Sequence, residues 1–86
     1  MTQTINESVS VSLTYDSTSK KANPKSIVWN NRLYPITKVG LHHTVKEGEK
    51  LLHIFSVATP TLFFKLVFDT SNLQWMAAEI ADGFNL

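Results

Sequence analysis

His42, His43 and His53 are the residues of this chain best suited to acid–base or metal chemistry, and the hairpin between them decides what they can do. The Lys46–Glu49 stretch, with Gly48 inside it, reads as the loop that folds His53 back towards His42. A four-residue loop sets His42 opposite His53; a three-residue loop with a bulge sets His53 opposite Leu41. In the first register two imidazoles converge as a potential chelate. Zinc takes three or four ligands, and the nearest acids, Glu47 and Glu49, sit beyond the same hairpin on its solvated tip. The expectation is one partly buried histidine against Phe55 and two solvated ones, with no metal site and no cofactor.

The carboxylates point to structural work. Glu47 and Glu49 flank the hairpin glycine, and Asp69 opens a turn in which it accepts from backbone amides two residues on. Glu79 and Asp82 lie near the carboxyl end with no partner base at a defined spacing. No serine or threonine sits in a nucleophile elbow with a histidine relay. Cysteine is absent, which removes thiolate nucleophiles, thiolate zinc sites and disulfides together. The chain is expected to be no enzyme, and no catalytic residue is assigned.

The elements that position these residues follow from two-residue periodicity. Ser8–Tyr15 alternates, with Val9, Val11, Leu13 and Tyr15 on one side and Ser8, Ser10, Ser12 and Thr14 on the other, as a half-covered strand does. Asp16 to Pro24 carries turn formers and lysines and reads as a loop long enough for a crossover. From Ser26 to Ile80 short apolar runs alternate with turns at Asn30-Asn31, Lys46–Glu49, Thr59–Thr61 and Asp69–Asn72. Asn30-Asn31 suits a type I′ hairpin turn, which pairs Trp29 with Arg32 and Ile27 with Tyr34. Apolar parity slips between Ile36 and Leu41, and a bulge near Gly40 restores it.

The predicted fold is all-β: about six antiparallel strands in a meander, forming a small barrel or a strongly twisted sheet. The 86 residues divide into a frayed terminus over 1–7, a single β domain over 8–82 and a tail over 83–86. The expected core is Val9, Val11, Leu13, Ile27, Trp29, Tyr34, Ile36, Phe55, Val57, Phe64, Leu66, Phe68 and Trp75.

Charge and patch structure narrow the function classes. Eight basic against seven acidic residues leave a net charge of +1, too little for a global field that attracts nucleic acid. No stretch approaches a membrane helix, and Met1–Glu7 lacks the basic and apolar regions of a secretory signal, so a soluble, cytoplasmic protein is expected. Leu62–Phe68 is apolar on both faces, beyond what one covered face needs. Phe63, Val67, Met76, Phe84 and Leu86 are therefore the candidate partner-binding residues, for a protein partner or a second copy of the chain. The alternative is weak nucleic-acid binding by Lys20, Lys21, Lys25, Arg32 and Lys38 around Trp29, Tyr34 or Trp75.

Pro24, Ile27, Trp29, Arg32, Tyr34, Ile36 and Val39 form a P-x-x-I-x-W-x-x-R-x-Y-x-I-x-x-V pattern, followed by Phe68-Asp69 and Trp75 as F-D-x-x-x-x-x-W. Over residues 24–82 this resembles a family of small bacterial β-rich domains of unknown function. The resemblance implies a β-rich fold and no catalytic residue. Some members are encoded beside error-prone DNA polymerases, which implies an accessory role in DNA repair. Gly40 and His42 stand where the family pattern carries basic and aromatic residues.

Overall fold

The alternating apolar runs fold as eight strands, and every pairing is antiparallel. The computed structural model describes residues 2–82. In chain order the strands are β1 (Thr2–Ser8), β2 (Ser10–Asp16), β3 (Lys21–Trp29), β4 (Arg32–Pro35), β5 (Lys38–Glu47), β6 (Lys50–Ala58), β7 (Leu62–Asp69) and β8 (Gln74–Asp82). They form a five-stranded sheet, ordered β1-β8-β7-β6-β5, and a three-stranded sheet, ordered β2-β3-β4. The all-β class holds and β5 to β8 are the expected meander. The count is eight instead of six, and of the two expected forms the twisted sheet holds, as a pair of sheets, while the barrel does not close.

The chain changes sheet at two corners, one at Val9 and one at Ile36–Thr37, just after Pro35. Ser8 still pairs with Met76 of the large sheet, the Val9 amide donates to Trp75 O at 3.1 Å, and Ser10 pairs with Val28 of the small sheet. At the second corner the Ile36 amide donates to Lys25 O at 2.9 Å in the small sheet. The next amide, Thr37, donates to Ala58 O at 2.8 Å in the large one. Sheets that share a core commonly exchange strands through such bends.

Turn chemistry sets the registers. Asn30 and Asn31 have φ of 53° and 59°, the two left-handed positions of a type I′ turn, and Trp29 pairs with Arg32 as the two-residue turn requires. Gly48, at φ 61°, is the first residue of a two-residue turn between Glu47 and Lys50; with Glu49 outside the positive-φ region this has the form of type II′. The Asp69 carboxylate accepts from the Ser71 amide at 2.9 Å, and Asn72 Oδ1 accepts from the Gln74 amide at 3.1 Å, so both ends of that turn are Asx-stabilised. The expected bulge near Gly40 is present as a register shift between Val39 and Leu41.

Three expectations about the amino-terminal part are corrected. Thr2–Ser8, expected to lie largely in a frayed end, is an edge strand on β8, with Asn6 at φ 47° inside a bulge. Asp16–Pro24 is not a crossover: β2 and β3 are a hairpin closed by the Lys20 amide donating to Asp16 O at 2.7 Å. Pro24 lies within β3, at a register shift that tolerates its missing amide hydrogen. Leu13 is not core; it is 45% exposed.

Between the sheets the buried set is Ile27, Tyr34, Phe55, Val57, Phe64, Leu66 and Ala77. Val9, Val11, Trp29, Ile36 and Trp75 are partly buried at its margin, and Phe68 is half-buried, stacked on Trp75 at 4.7 Å. Phe64 meets Tyr34 and Trp29 edge to face, with centroids 5.1 and 6.0 Å away. Trp29 Nε1 donates to Glu7 Oε1 at 2.9 Å, tying the small sheet to β1.

Candidate binding surfaces

Cross-strand register brings the predicted partner-binding residues together on the outer face of the large sheet, the face turned away from the small one. Val67 lies between Ile54 and Met76, and Phe63 lies between Ala58 and Ala81. Phe63, Val67 and Met76 are each half-buried. Between these two apolar rows runs a polar one, in which Lys65 lies between Ser56 and Glu79. Lys65 Nζ is 3.7 Å from Glu79 Oε2, so the row carries both signs of charge. Leu41, 58% exposed, extends it onto β5. A hollow of about 390 Å³ opens over Phe63, bordered by Lys38, Ala58, Lys65, Glu79 and Ala81. Phe84 and Leu86, the other two candidates, lie outside the described residues.

A second surface was not foreseen. Beyond the buried core the two sheets splay apart, leaving a cleft of about 720 Å³. Its floor is a run of rings on the inner face of the large sheet. His42 stacks on Phe55 at 4.1 Å and 10°, Phe55 meets Trp75 at 5.5 Å, and Trp75 stacks on Phe68. Its far wall is the end of the β2–β3 hairpin, with Leu13 and Tyr15 facing the rings and Lys20 and Lys21 at the mouth. The available signal was the parity of β2. Leu13 and Tyr15 continue the Val9–Val11 row past the point where core partners remain.

The histidines meet, though in neither expected register. The two-residue turn pairs His42 with Phe55 and Thr44 with His53, making His42 and His53 diagonal neighbours on the cleft side. His42 Nε2 lies 2.9 Å from His53 Nδ1, a distance at which one proton is shared between the two nitrogens. Burial against the Phe55 ring holds His42 below the usual histidine pKa, and repulsion from His53, His43 and Lys21 adds to this; solvent still reaches the ring. Among the described residues no group of three or more His, Cys, Asp or Glu is placed to hold a metal ion.

The five cations of the nucleic-acid alternative do not share a surface. Lys20 and Lys21 line the cleft, and Lys38 lines the hollow on the outer face. Lys25 is an exposed residue of β3, and Arg32 pairs with Trp29 beside the Asn30-Asn31 turn. Of the aromatics meant to stack bases, Tyr34 is 7% exposed and Trp29 packs on Tyr34 and Phe64, while Trp75 lies on the cleft floor with Lys20 and Lys21 at the mouth. No helix among the described residues is long and apolar enough to cross a membrane. No protein-family model, curated protein or solved structure matches this chain.

Proposed function

We propose that this protein is a non-catalytic interaction module that pairs with a second copy of itself through the outer face of the large sheet. The observation that carries this is the alignment of Phe63, Val67 and Met76, with Ile54 and Ala58, on the face opposite the core. The Lys65–Glu79 pair supports a like partner, because a face holding both signs of charge does not repel its own copy. Size supports it too. Five strands at ~4.8 Å spacing and about eight residues at ~3.3 Å rise span roughly 600 Å² per copy, the low end of specific interfaces. Area alone fixes no affinity, and the micromolar range is the weak end of what specific interfaces show.

Sedimentation equilibrium across that range tests the proposal. The expected result is a monomer–dimer equilibrium that Val67→Asp shifts to monomer with the far-ultraviolet spectrum unchanged. A strictly monomeric species at the highest concentration overturns it, as does a dimer indifferent to Val67→Asp. The rival, a weak nucleic-acid-binding accessory role in DNA repair, has less behind it because Lys20, Lys21, Lys25, Arg32 and Lys38 are dispersed. A salt-dependent rise in anisotropy of single-stranded oligonucleotides at low salt favours that rival.

A further inference from the structure

We propose that the cleft between the splayed sheets is a binding site for an amphipathic organic anion, one with a flat apolar body and a single acidic group such as a carboxylate or sulfonate. The site is separate from the outer face, so the proposal stands or falls independently of self-association. Three features of the cleft support it.

The first is shape and lining. A cavity of about 720 Å³ lies within the range of small-molecule sites, which are apolar and aromatic with a few convergent polar groups. Here Phe55, Phe68 and Trp75 form one wall, and Leu13 and Tyr15 form the other. Leu13 and Tyr15 are 45% and 65% exposed although they lie on the core-facing row of β2, so an inserted flat body covers apolar surface that the chain leaves wet.

The second is charge. Besides Tyr15, the ionisable groups lining the cleft are Lys20, Lys21, His42 and His53; no carboxylate lines it. The one acid of the hairpin, Asp16, lies opposite Lys21 in the register but forms no ion pair with it, accepting instead from the Thr18 amide at 2.9 Å. Neither lysine has a carboxylate within ion-pair distance among the described residues. The mouth therefore carries more positive than negative charge beside an apolar wall, which selects an anion with an apolar body over a neutral molecule of the same shape.

The third is the histidine pair. The hydrogen bond between His42 Nε2 and His53 Nδ1 uses one nitrogen of each ring. In either arrangement of the shared proton the remaining nitrogens include at least one N–H, a donor that an acidic oxygen can accept from. The stacking of His42 on Phe55 holds that ring in place before any ligand arrives.

Fluorescence titration of the native chain with two probes of one ring system tests the site: 8-anilinonaphthalene-1-sulfonate, and N-phenyl-1-naphthylamine, which lacks the sulfonate. Saturable one-to-one binding of the sulfonate is expected, with weaker binding of the neutral amine. The double substitution Lys20→Gln, Lys21→Gln should weaken the sulfonate about tenfold and leave the amine unchanged, since it removes only the charge-assisted contacts. Leu13→Ser, at an exposed position that the fold does not rest on, should weaken both probes. Val67→Asp, on the outer face, should affect neither. Equal affinity for the two probes, no saturable sulfonate binding, or loss of binding with Val67→Asp but not with Leu13→Ser overturns the assignment.

Discussion

The two faces of the large sheet near β6 and β7 are built from adjacent residues yet meet different surroundings. On the inner side the dry core at Phe64 and Leu66 gives way at Phe55 and Phe68 to an open aromatic cleft rimmed by lysines and histidines. On the outer side Phe63, Val67 and Met76 form a shallow apolar surface crossed by a paired lysine and glutamate. The contrast lies in charge compensation more than in hydrophobicity. Apolar surface beside balanced charge suits another protein surface, whereas apolar surface beside unbalanced positive charge suits an amphipathic anion. One sheet can thus present two recognition chemistries because successive side chains point to opposite faces.

The largest effect that can break this comparison comes from neighbours 63 and 64. Phe64 is 2% exposed, so Phe64→Ala should cost ~3–5 kcal/mol in urea denaturation, from lost transfer energy plus the cavity left behind. Phe63→Ala, measured where the chain is monomeric, should cost less, about 1–2 kcal/mol, because its ring lies on the outer face and is only partly buried. Equal losses would mean that the outer face is as covered as the core. A loss below ~1 kcal/mol for Phe64→Ala would refute the core itself.

The next effect concerns the hairpin that carries the cleft floor. Gly48 sits at φ 61°, and a methyl group there meets nothing within 4 Å. Gly48→Ala should therefore cost ~1 kcal/mol of purely conformational origin. Because the turn sets the His42–His53 diagonal, the substitution should also disturb imidazole resonances, while leaving Val67 methyl resonances in place.

Acid should weaken the molecule in two steps, the first belonging to the cleft. His42 has a folded pKa below its ordinary 6.5, so the unfolded state binds the proton more readily. Stability from this group is present above 6.5 and is lost as pH falls through that value towards the folded pKa. Asp69, hydrogen-bonded by Ser71 and close to Lys50, is held below 3.8, so its contribution is present above that value and is lost further down. Thermal melts across this range should show both declines, and His42→Asn should remove only the upper one. The smallest stability effect is Val67→Thr, expected within ~0.5 kcal/mol, with dimerisation weakened all the same; a larger loss would show that Val67 supports the fold more than the interface.

Much of the fold was legible wherever local chemistry dictates it. The Asn30-Asn31 turn, the Trp29–Arg32 register, the bulge at Gly40 and the Asx turn at Asp69 all follow from residues whose own backbone preferences select the geometry. β1 was missed because Thr2–Ser8 offers one apolar residue, Ile5, and is held mainly by backbone pairing with β8, which leaves no side-chain pattern. The histidine register was missed because Lys46 and Glu47 continue the strand, and Gly48 with Glu49 is sufficient for the turn. Of the candidate site, Phe63, Val67 and Met76 were legible from the double apolarity of β7. The cleft was not, because Leu13, Lys21, His42 and Trp75 come from four strands in two sheets.

By itself the order of residues determined which segments are pleated, where they turn, and which side of each strand is apolar, because these depend on backbone sterics and a period of two. Only the packing of one sheet against the other decided which apolar side chains are covered. Val11 and Leu13 share a parity, but Val11 packs against the core while Leu13 overhangs the cleft. Parity chooses a side; how far the opposing sheet reaches along it is settled by corners at Val9 and Ile36–Thr37, where backbone hydrogen bonds pass from one sheet to the other, a pairing across the fold that a period of two does not encode.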